Sequence, residues 1–340
     1  MSSSLVIQTS FLGDTVLTTP LLMQLARRGT VDVVTTPASA ALLRNHPAVR
    51  ALIAYDKRGV DRGVFGFISL AQRLREEKYE IAFLAQGSWR SALLALVAGI
   101  PARMGFSTSA GRLLYTKRVR YRDDLHHAAR LLMLARPNGR EPSDAELRPS
   151  LFPGDAERNE VNAVLASAGG LHDEPFVALA PGSVWATKRW PYFVELATAL
   201  QNELRVVIVG GADDRVLAQA IVAAVPRAID TTGRLSLLAS AELIGRATAI
   251  VTNDSAPLHL ASAMGTPTVA IFGPTVPEFG FGPLAPRHTV VGVDTLPCRP
   301  CDRHGPQRCP LGHHRCMRDV EPAAVADQVR SLLLTRDVHA

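Results

Sequence analysis

Three charged residues of this chain stand where a short apolar segment ends, the position at which α/β sheets present reactive side chains. Asp14 follows the first apolar segment, Lys188 follows residues 176–180, and Asp254 follows residues 249–252. A carboxylate at such a position can act as a general base, and an ammonium can neutralise a phosphate that leaves during a reaction. These residue types indicate a site that activates one reactant and binds the phosphate of another.

Residues 250–275 form the most informative segment, which predicts a strand end, an acidic turn, a short helix and a second buried strand. Asp254 is predicted to cap a helix that starts at Ser255, because its carboxylate can accept N–H groups of the first turn. Pro257 fits that first turn, and Gly265 fits the helix end. A helix N-terminus after a parallel strand offers a phosphate unpaired N–H donors and a positive dipole end. The segment therefore predicts half of a nucleotide-diphosphate site.

Each of these residues has an ordinary structural alternative. Asp14 precedes a predicted helix and can cap it, whether or not it also acts as a base. Lys188 is one of four lysines in the chain and follows a Gly-Ser turn ending at Ser183, which can offer N–H groups to phosphate oxygens. A solvated loop lysine is the alternative. His259, inside the 255–264 helix, can contact phosphate or sugar, or be a core histidine bonded to the backbone.

The Gly210-Gly211-Ala212-Asp213-Asp214 segment follows another predicted strand. Glycines such as Gly211 permit close approach of a ligand to the backbone, and an acidic residue such as Asp213 can hydrogen-bond ribose hydroxyls. Loop glycines followed by a helix-capping Asp explain the pattern equally well. The segment is therefore a weak indication of a nucleotide site, as are Thr231-Thr232-Gly233.

Four cysteines, Cys298, Cys301, Cys309 and Cys316, form a C-x2-C-x7-C-x6-C pattern with three histidines interleaved. The first knuckle and two further cysteines predict a structural zinc site, although the second pair lacks the usual short spacing. Free thiols and disulfides are the alternatives, and a reducing cytosol disfavours the latter. A catalytic metal is not expected, because four thiolates leave no open coordination position.

Short apolar segments alternate with amphipathic ones along most of the chain, which predicts parallel sheets covered by helices. Residues 11–14 are predicted as a tight turn, and the Pro-rich stretch 137–153 is predicted to lead to a domain boundary. Predicted strands cover 5–9, 31–35, 50–55, 81–84, 176–180, 205–209, 228–230, 249–252 and 268–272; predicted helices cover 18–28, 38–45, 66–77, 89–98, 155–168, 192–203, 213–224, 236–246, 255–264 and 321–334.

Size and charge limit the function classes. The 340 residues are 47% apolar with a net charge of +6, and all but four of the 37 basic residues are Arg. That size suits two domains, and the charge favours anionic partners such as phosphates or acidic lipid headgroups. No secretion signal is evident, and the longest apolar run, 92–100, is far shorter than the ~20 residues that span a bilayer. A soluble cytoplasmic protein is expected.

Several segments together resemble the family of ADP-heptose:lipopolysaccharide heptosyltransferases, most closely its heptosyltransferase II branch. The similarity covers nearly the whole chain. The segments at 11–20 and 252–275 are specific when they occur together. The matching segments are FLGDTVLTTP at 11–20, PGSVWATKRWP at 181–191, VGGADD at 209–214, TTGRLSLLASAELIGRA at 231–247, TNDSAPLHLASAMGTPTVAIFGPT at 252–275 and the tail CRPC…CPLGHHRCM.

The resemblance implies an α/β protein of GT-B fold, with two doubly wound Rossmann-like domains that face a central cleft. Residues 1–160 would bind the acceptor and residues 161–320 the nucleotide sugar, while a helix in 321–340 would pack back on the first domain. The resemblance also implies the inverting mechanism of this family, which requires no metal or other cofactor for catalysis. ADP-heptose would be the donor and an inner-core lipopolysaccharide precursor the acceptor, with transient contact to the anionic inner face of the membrane.

The same resemblance implies roles for individual residues. Asp14 matches the base that deprotonates the acceptor hydroxyl, and Lys188 matches the lysine that neutralises the leaving diphosphate. Asp213 or Asp214 stands where the family often has a Glu that binds ribose. Further donor contacts are implied for Ser183, Thr187, Gly211, Asp254, Ser255, Ala256 and His259, and the anionic acceptor is expected to contact Thr15, Arg58, Arg62, Arg90 and Arg120.

Two other classes of protein remain open from the sequence. The same architecture is compatible with a transferase for another nucleotide sugar, or with a nucleotide-sugar epimerase or hydrolase. A nucleic-acid-binding regulator is suggested by the basic charge and the cysteines. It lacks the interleaved aromatic and basic residues of such surfaces, so no nucleic-acid partner is expected.

Overall fold

The computed structural model describes residues 2–136, 139–168, 170 and 174–334. Packing divides the chain into two compact units, Met1–Phe152 and Pro153–Ala340. The division falls earlier than the predicted boundary after residue 160, because the helix that begins at Asp155 packs within the second unit. Parts of the predicted Pro-rich stretch (137–138) and of the predicted C-terminal segment (335–340) lie outside the described residues.

The first unit contains one six-stranded parallel sheet in the order β3-β2-β1-β4-β5-β6. A 3₁₀ turn, Arg112–Leu114, precedes the last strand. The strands are β1 (Ser2–Gln8), β2 (Gly29–Thr35), β3 (Ala51–Ala54), β4 (Ile81–Leu84), β5 (Ala102–Phe106) and β6 (Lys117–Val119); the helices are α1 (Leu12–Ala26), α2 (Pro37–Leu42), α3 (Gly63–Glu76), α4 (Trp89–Val97), α5 (His127–Ala135) and α6 (Asp144–Leu147).

The second unit repeats that topology in the order β12-β11-β10-β7-β8-β9. Its 3₁₀ turns are Ala186–Lys188, Ala212–Asp214 and Pro277–Phe279. The strands are β7 (Phe176–Ala180), β8 (Arg205–Ile208), β9 (Ile229–Asp230), β10 (Ala249–Asn253), β11 (Thr268–Ile271) and β12 (His288–Val291); the helices are α7 (Asp155–Ser167), α8 (Phe193–Leu200), α9 (Arg215–Ala224), α10 (Leu237–Arg246), α11 (Ala256–Met264), α12 (Arg315–Arg318) and α13 (Pro322–Leu334).

The central strands of both sheets are buried on both faces, so their apolar residues are consecutive and do not alternate with polar ones. Leu5, Val6 and Ile7 of β1 and Val177 to Leu179 of β7 are completely inaccessible to solvent. In each unit the chain changes direction across the sheet between the two central strands, β1 and β4 in one and β7 and β10 in the other. Open α/β sheets bind ligands at the carboxyl ends of the strands next to this switch point.

Helix α1 begins at Leu12, so the predicted turn at residues 11–14 is wrong and Asp14 lies in the first helical turn. Pro20 lies inside this helix and argued against an earlier start, because a proline lacks the N–H that would bond the carbonyl four residues earlier. The neighbouring Thr19 compensates for the loss: its hydroxyl donates to the Val16 carbonyl at 2.8 Å. A side chain thus restores the hydrogen bond that the backbone lacks.

The C-terminal helix was predicted at 321–334, and α13 spans Pro322–Leu334. The described helix α13 belongs to the second unit, where it contacts α8, β10 and β11. Val325, Ala326 and Val329 are buried in that unit's core, so the apolar face of the helix is used there. The expectation that a helix in 321–340 packs back on the first domain stays a prediction. Strands β5, β6 and β12 and helices α5, α6 and α12 were not predicted. All but α5 are short, whereas α5 has apolar residues at 128, 131, 132 and 135, a helical period that was overlooked.

Candidate active site

The carboxylate of Asp14 is held by a short polar chain that starts at the end of β1. The Ser10 hydroxyl lies 2.6 Å from Asp14 Oδ2 and 2.7 Å from Gln8 Oε1. The Gln8 amide is buried and donates to the Thr18 hydroxyl at 3.2 Å. The helix N-cap is Phe11, and no side chain caps the helix there. Asp14 therefore does not act as the cap, and its carboxylate is oriented by a hydroxyl.

A histidine that sequence analysis did not single out completes this cluster. His127 Nε2 lies 3.6 Å from Asp14 Oδ1, and both side chains are mostly shielded from solvent. His127 is the first residue of α5, which packs along α1. The only sequence signal was an ordinary helix start in a region where no helix was predicted. The Asp14 cluster thus joins a carboxylate, a hydroxyl and an imidazole.

The predicted acceptor-binding residues are not gathered into one cluster. Thr15 is buried, and its hydroxyl contacts Ser39 Oγ at 2.9 Å, so it serves the packing of α1. The guanidinium of Arg90 donates to the Tyr55 hydroxyl at 3.0 Å from Nε, which fixes its position at the start of α4. Arg58, Arg62 and Arg120 are exposed.

Lys57, not predicted to be functional, brings a cation to the carboxyl end of β1. Its ammonium donates to the Thr9 carbonyl at 3.0 Å and lies 3.3 Å from the Thr9 hydroxyl. Burial, followed by the charges of Arg58 and Arg90, lowers the pKa of Lys57 below its usual value. Three cationic side chains therefore influence one another at this edge of the first sheet.

In the second unit, Lys188 and Asp254 form a short ion pair. Lys188 Nζ lies 2.5 Å from Asp254 Oδ2, and each side chain is about nine-tenths buried, with 10% exposed. The Thr275 hydroxyl donates to the same carboxylate oxygen at 2.7 Å. The prediction that Asp254 caps the following helix is wrong, because Ser255 occupies the N-cap position and the carboxylate bonds to the lysine and the threonine. The pair keeps an ammonium at the carboxyl edge of the second sheet.

The side chain of Asn253, at the end of β10, hydrogen-bonds to the loop that follows β7. Its Nδ2 donates to the Pro181 carbonyl at 2.9 Å, and its Oδ1 accepts from the Trp190 N–H at 3.1 Å. The indole N–H of Trp190 donates to the Val320 carbonyl at 2.9 Å. These bonds hold both ends of the loop that contains Ser183, Thr187 and Lys188. Asn253 was missed because it ends an apolar strand and resembles a turn residue.

The cysteine-rich segment packs on the same loop. His314 Nε2 lies 2.8 Å from the Thr187 carbonyl, and the Thr187 hydroxyl donates to the Pro306 carbonyl. A carbonyl accepts only, so the imidazole donates through Nε2. Gly305 adopts a φ of +85°, and a side chain there would lie 3.2 Å from Lys188 Cε. Glycine therefore suits this contact. The carbonyl and the hydroxyl of Thr187 are both used in hydrogen bonds to the cysteine-rich segment.

The start of helix α11 matches the predicted phosphate-binding end in part. Ala256 is the first helical residue, Pro257 has no N–H, and the N–H of Leu258 donates to the Ser255 carbonyl at 3.1 Å. Of these, the Ala256 N–H is the donor that a phosphate can reach. His259 is buried with its ring 6.4 Å from that of Phe281, which fits the core alternative that the sequence left open.

The Gly-Gly-x-Asp-Asp segment forms a compact turn. Asp214 Oδ2 accepts from the Gly211 N–H at 2.9 Å, so this carboxylate caps its own turn. A side chain at Gly182 would lie 2.1 Å from the Asp214 carboxylate, which explains the glycine of the Gly-Ser turn. Asp213 is exposed on the same turn. Asp213 is thus the acidic residue of this pair that remains accessible to a ribose.

The four cysteines are free thiols in one segment. Burial, followed by the neighbouring thiols, raises the pKa of Cys316 to about 11. For Cys309 burial acts in the same upward direction, but N–H groups of residues 311–314 hold its pKa below the usual value. Cys298 Sγ lies 3.9 Å from His313 Nε2. Among the described residues, no three Cys, His, Asp or Glu side chains converge on one metal position. Structural zinc at these cysteines stays a prediction.

The predicted site residues thus form two separate groups of contacts. Asp14 belongs to one group, and Lys188 and Asp254 to the other, with Ser183 and Thr187 in the adjoining loop. None of the helices in the described ranges combines the length and apolarity that crossing a bilayer requires.

Comparison with known proteins gives consistent results. The model of glycosyltransferase family 9 (heptosyltransferase) matches residues 67–310. Lipopolysaccharide heptosyltransferase 2 of Salmonella typhimurium is 30% identical over 347 residues, which cover 97% of this chain and 98% of that protein. The structure of E. coli ADP-heptose LPS heptosyltransferase II superposes with a TM-score of 0.81 at 27% identity, covering 99% of this chain and all of the other.

A second solved structure, the family 9 glycosyl transferase of Veillonella parvula, has a TM-score of 0.86 at 23% identity and 98% coverage of both chains, which shows the shared fold. The prediction of an α/β protein with the GT-B fold is confirmed by these structures.

Proposed function

Because the chain belongs to glycosyltransferase family 9, the heptosyltransferases, we propose that it transfers heptose from ADP-heptose to an inner-core lipopolysaccharide acceptor, as a heptosyltransferase II-type enzyme. The single observation that best supports this substrate class is the largely buried ammonium of Lys188 at the carboxyl edge of the second sheet. A cation there, beside a helix N-terminus, suits the diphosphate of a nucleotide sugar.

Asp14 acts as the general base in this proposal. Its carboxylate accepts the proton of an acceptor hydroxyl while the hydroxyl oxygen forms a bond to the anomeric carbon of the heptose. The bond from that carbon to the diphosphate breaks, and its electron pair leaves with ADP. Attack opposite the leaving group inverts the anomeric centre. The Ser10 hydroxyl and His127 keep the carboxylate oriented for this transfer.

Lys188 stabilises the leaving group. An ammonium has three N–H donors, and Asp254 accepts one of them, which leaves two for phosphate oxygens. Negative charge grows on the diphosphate as its bond to the sugar lengthens, so a fixed cation stabilises the transition state more than the bound donor. The Ala256 N–H and the dipole of α11 add to this effect, and Asp213 is the candidate for a ribose contact.

The acceptor and the place of action follow from charge. Inner-core acceptors bear carboxylates and phosphates, which the separate cationic side chains of Lys57, Arg58, Arg62, Arg90 and Arg120 in the first unit can bind. We place the enzyme at the cytoplasmic face of the inner membrane, where the net charge of +6 attracts it to anionic lipids. No cofactor is needed for the transfer as written.

The decisive experiment mixes purified protein with ADP-heptose and either a Kdo-terminated or a heptosylated acceptor, and follows ADP release and product mass. We expect turnover with the heptosylated acceptor. ADP-glucose and UDP-sugars serve as competing donors. No ADP release with either acceptor contradicts the proposed transfer, and release of free or isomerised sugar without acceptor favours a hydrolase or an epimerase.

Structural zinc at Cys298, Cys301, Cys309 and Cys316 is a separate proposal, supported by their place in one segment that packs on the Lys188 loop. The metal would hold that segment and take no part in the chemistry. Elemental analysis of protein purified without chelator should give one zinc per chain, and the Cys316→Ser variant should lose it. A metal-free protein with four titratable thiols contradicts this assignment.

A further inference from the structure

Four large apolar side chains project into solvent around the start of helix α3. Val60 is 92% exposed, Val64 70%, Phe65 91% and Ile68 43%. We call these four residues the apolar ridge. Single exposed apolar residues are normal on a protein surface, but several within nine positions form a patch that usually marks an interaction site.

The ridge exists because α3 packs on the first unit mainly through its later turns. Leu70, Ala71 and Leu74 are buried in the core of that unit. Val64 and Ile68 lie on the same helical stripe as the buried Ala71, at positions i, i+4 and i+7, but they belong to the earlier turns of the helix and are exposed. The start of α3 therefore presents apolar side chains that the described residues do not cover.

Acidic and basic residues near the ridge differ in how they are used. Asp56 Oδ1 accepts from the Gly59 N–H at 2.8 Å, and Asp61 Oδ2 accepts from the Asp56 N–H at 2.8 Å, so both acids are used to fold the loop. Arg58 and Arg62 are exposed beside Val60. Along residues 56–77 the chain contains five basic and four acidic residues, of which Glu76 and Glu77 lie at the far end of α3. The exposed charges next to Val60 are thus the cations Arg58 and Arg62.

An aromatic residue stands at the same edge. Trp89 is 60% exposed and directly precedes Arg90, whose Nη2 donates to the Gly63 carbonyl at 3.3 Å. The Arg90 guanidinium lies 5.4 Å from the centre of the Phe67 ring. These contacts hold the start of α4 against the start of α3. Exposed Trp with flanking Arg is the composition that favours the headgroup region of a bilayer.

We propose that the apolar ridge inserts into the surface of a bilayer with anionic headgroups while Arg58 and Arg62 bind the lipid phosphates. This rests on the proposed function, since an acceptor anchored in such a bilayer must be reached from its surface. Charge favours lipid over a second copy of the chain, because a symmetric contact through the ridge would bring the same arginines together. The insertion is shallow and reversible, as apolar area and electrostatic attraction each contribute part of the affinity.

The test measures binding of the full chain to vesicles of phosphatidylglycerol and phosphatidylcholine, and to phosphatidylcholine alone. The double variant Val64→Ser/Phe65→Ser should bind the anionic vesicles about tenfold or more weakly, since two side chains no longer leave water. Val216→Ser on α9, which removes an equally exposed valine at 75% exposure, is the matched control and should bind like the wild type. Wild-type binding should fall with added salt and on neutral vesicles.

Activity separates this inference from the proposed function. On a deacylated acceptor in solution the double variant should match the wild type, whereas on acceptor embedded in anionic vesicles it should be slower by the same factor as its loss of binding. Inactivity of both proteins on the deacylated acceptor counts against the transferase, while vesicle binding still decides the ridge.

Unchanged vesicle binding by the double variant overturns the inference. A change in its oligomeric state with unchanged vesicle binding does so too, and assigns the ridge to contact between copies. Thermal melting checks folding, and Val60→Ser, in the loop outside the helix, repeats the test should the helical variant unfold.

Discussion

In the first unit the carboxylate next to the central strands, Asp14, is held mainly by the neutral Ser10 hydroxyl, whereas in the second unit Asp254 is held by the Lys188 ammonium. The two sheets have the same strand order, so topology provides the same edge in both. The partners decide the chemistry available there. A carboxylate with a neutral partner can take up a proton, and a carboxylate paired at 2.5 Å serves to keep an ammonium in place.

Under the proposed roles, the same fold provides a base and an anion-binding group at equivalent edges. A carboxylate placed beside a lysine is a poor base, because its charge is already balanced. A lysine without a carboxylate would be hard to keep charged when mostly buried. The repeated topology therefore provides equivalent positions at the two sheet edges. The contacts of a few side chains decide which chemistry each carboxylate can support.

The largest expected effect comes from Asp14→Asn. The amide keeps the shape and can still accept from Ser10, but it cannot take up a proton, so kcat should fall about 10²–10⁴-fold while ADP binding is retained. Steady-state kinetics and calorimetry measure the two quantities. Asp155→Asn, at an exposed carboxylate on α7, is the control and should be silent. Loss of ADP binding together with turnover would show that Asp14 is structural.

The second prediction breaks the ion pair of the second unit. Lys188→Met should lower kcat/KM about 10²–10³-fold, because a fixed charge on the leaving group is lost. It should also lower the free energy of unfolding by up to about 3–5 kcal/mol, since Asp254 is left as an unpaired, mostly buried charge.

The double variant Lys188→Met/Asp254→Asn should recover much of that stability and none of the activity. Lys117→Met, at an exposed lysine, serves as the control. A double variant that regains turnover contradicts the role of Lys188.

A third prediction separates stability from catalysis in the first unit. Burial lowers the pKa of His46 to about 4. Its Nδ1 accepts from the Ala48 N–H, and within the described residues Nε2 has no hydrogen-bond partner. As the pH falls, His46 is therefore protonated at a higher pH in the unfolded chain than in the folded protein. Stability is therefore complete above about pH 6.5 and is lost towards pH 4, by at most about 3 kcal/mol.

His46→Leu should remove that loss of stability, measured by denaturant unfolding from pH 7 to pH 4, and leave kcat unchanged at neutral pH. His288→Leu, at an exposed histidine, should keep it. The same acid destabilisation in wild type and His46→Leu would show that another group is responsible.

The smallest effect is expected at His127. His127→Gln removes the imidazole that lies 3.6 Å from Asp14 Oδ1, so the carboxylate loses an orienting contact but keeps Ser10. We expect kcat to fall about tenfold with KM unchanged. His126→Asn is the neighbouring control, because an Asn can still cap α5 as the His126 ring does. Equal losses in both variants would reduce the role of His127 to helix packing.

Much of the fold was predictable because buried parallel strands require continuous apolar segments. Strands β4 and β7 begin and end where the sequence predicted. Most of the elements that were missed are short: β5, β6, β12, α6 and α12 have three to five residues each. Helix α5 is longer and has apolar residues at 128, 131, 132 and 135, so its sequence did contain the helical period. The start of α1 was misplaced because the compensation of Pro20 by the Thr19 hydroxyl depends on a rotamer that no sequence pattern reveals.

For the candidate site, the sequence by itself determined which residue types stand at the strand ends, including Asp14, Lys188 and Asp254. Their position follows from local rules: an apolar strand ends, the chain turns, and polar residues follow at one edge of a parallel sheet. The family resemblance rests on the same local segments, which is why it was evident without coordinates.

Only the tertiary structure decided which side chains these residues contact. Asp254 bonds to Lys188 and Thr275, which are distant in sequence, and Asp14 approaches His127 on a helix that was not predicted. Such pairings depend on how separate elements pack, because a side chain selects its partner among all groups brought within about 3 Å. The sequence thus determined the candidates, and the packing decided that one carboxylate pairs with a lysine while the other lies beside a hydroxyl and an imidazole.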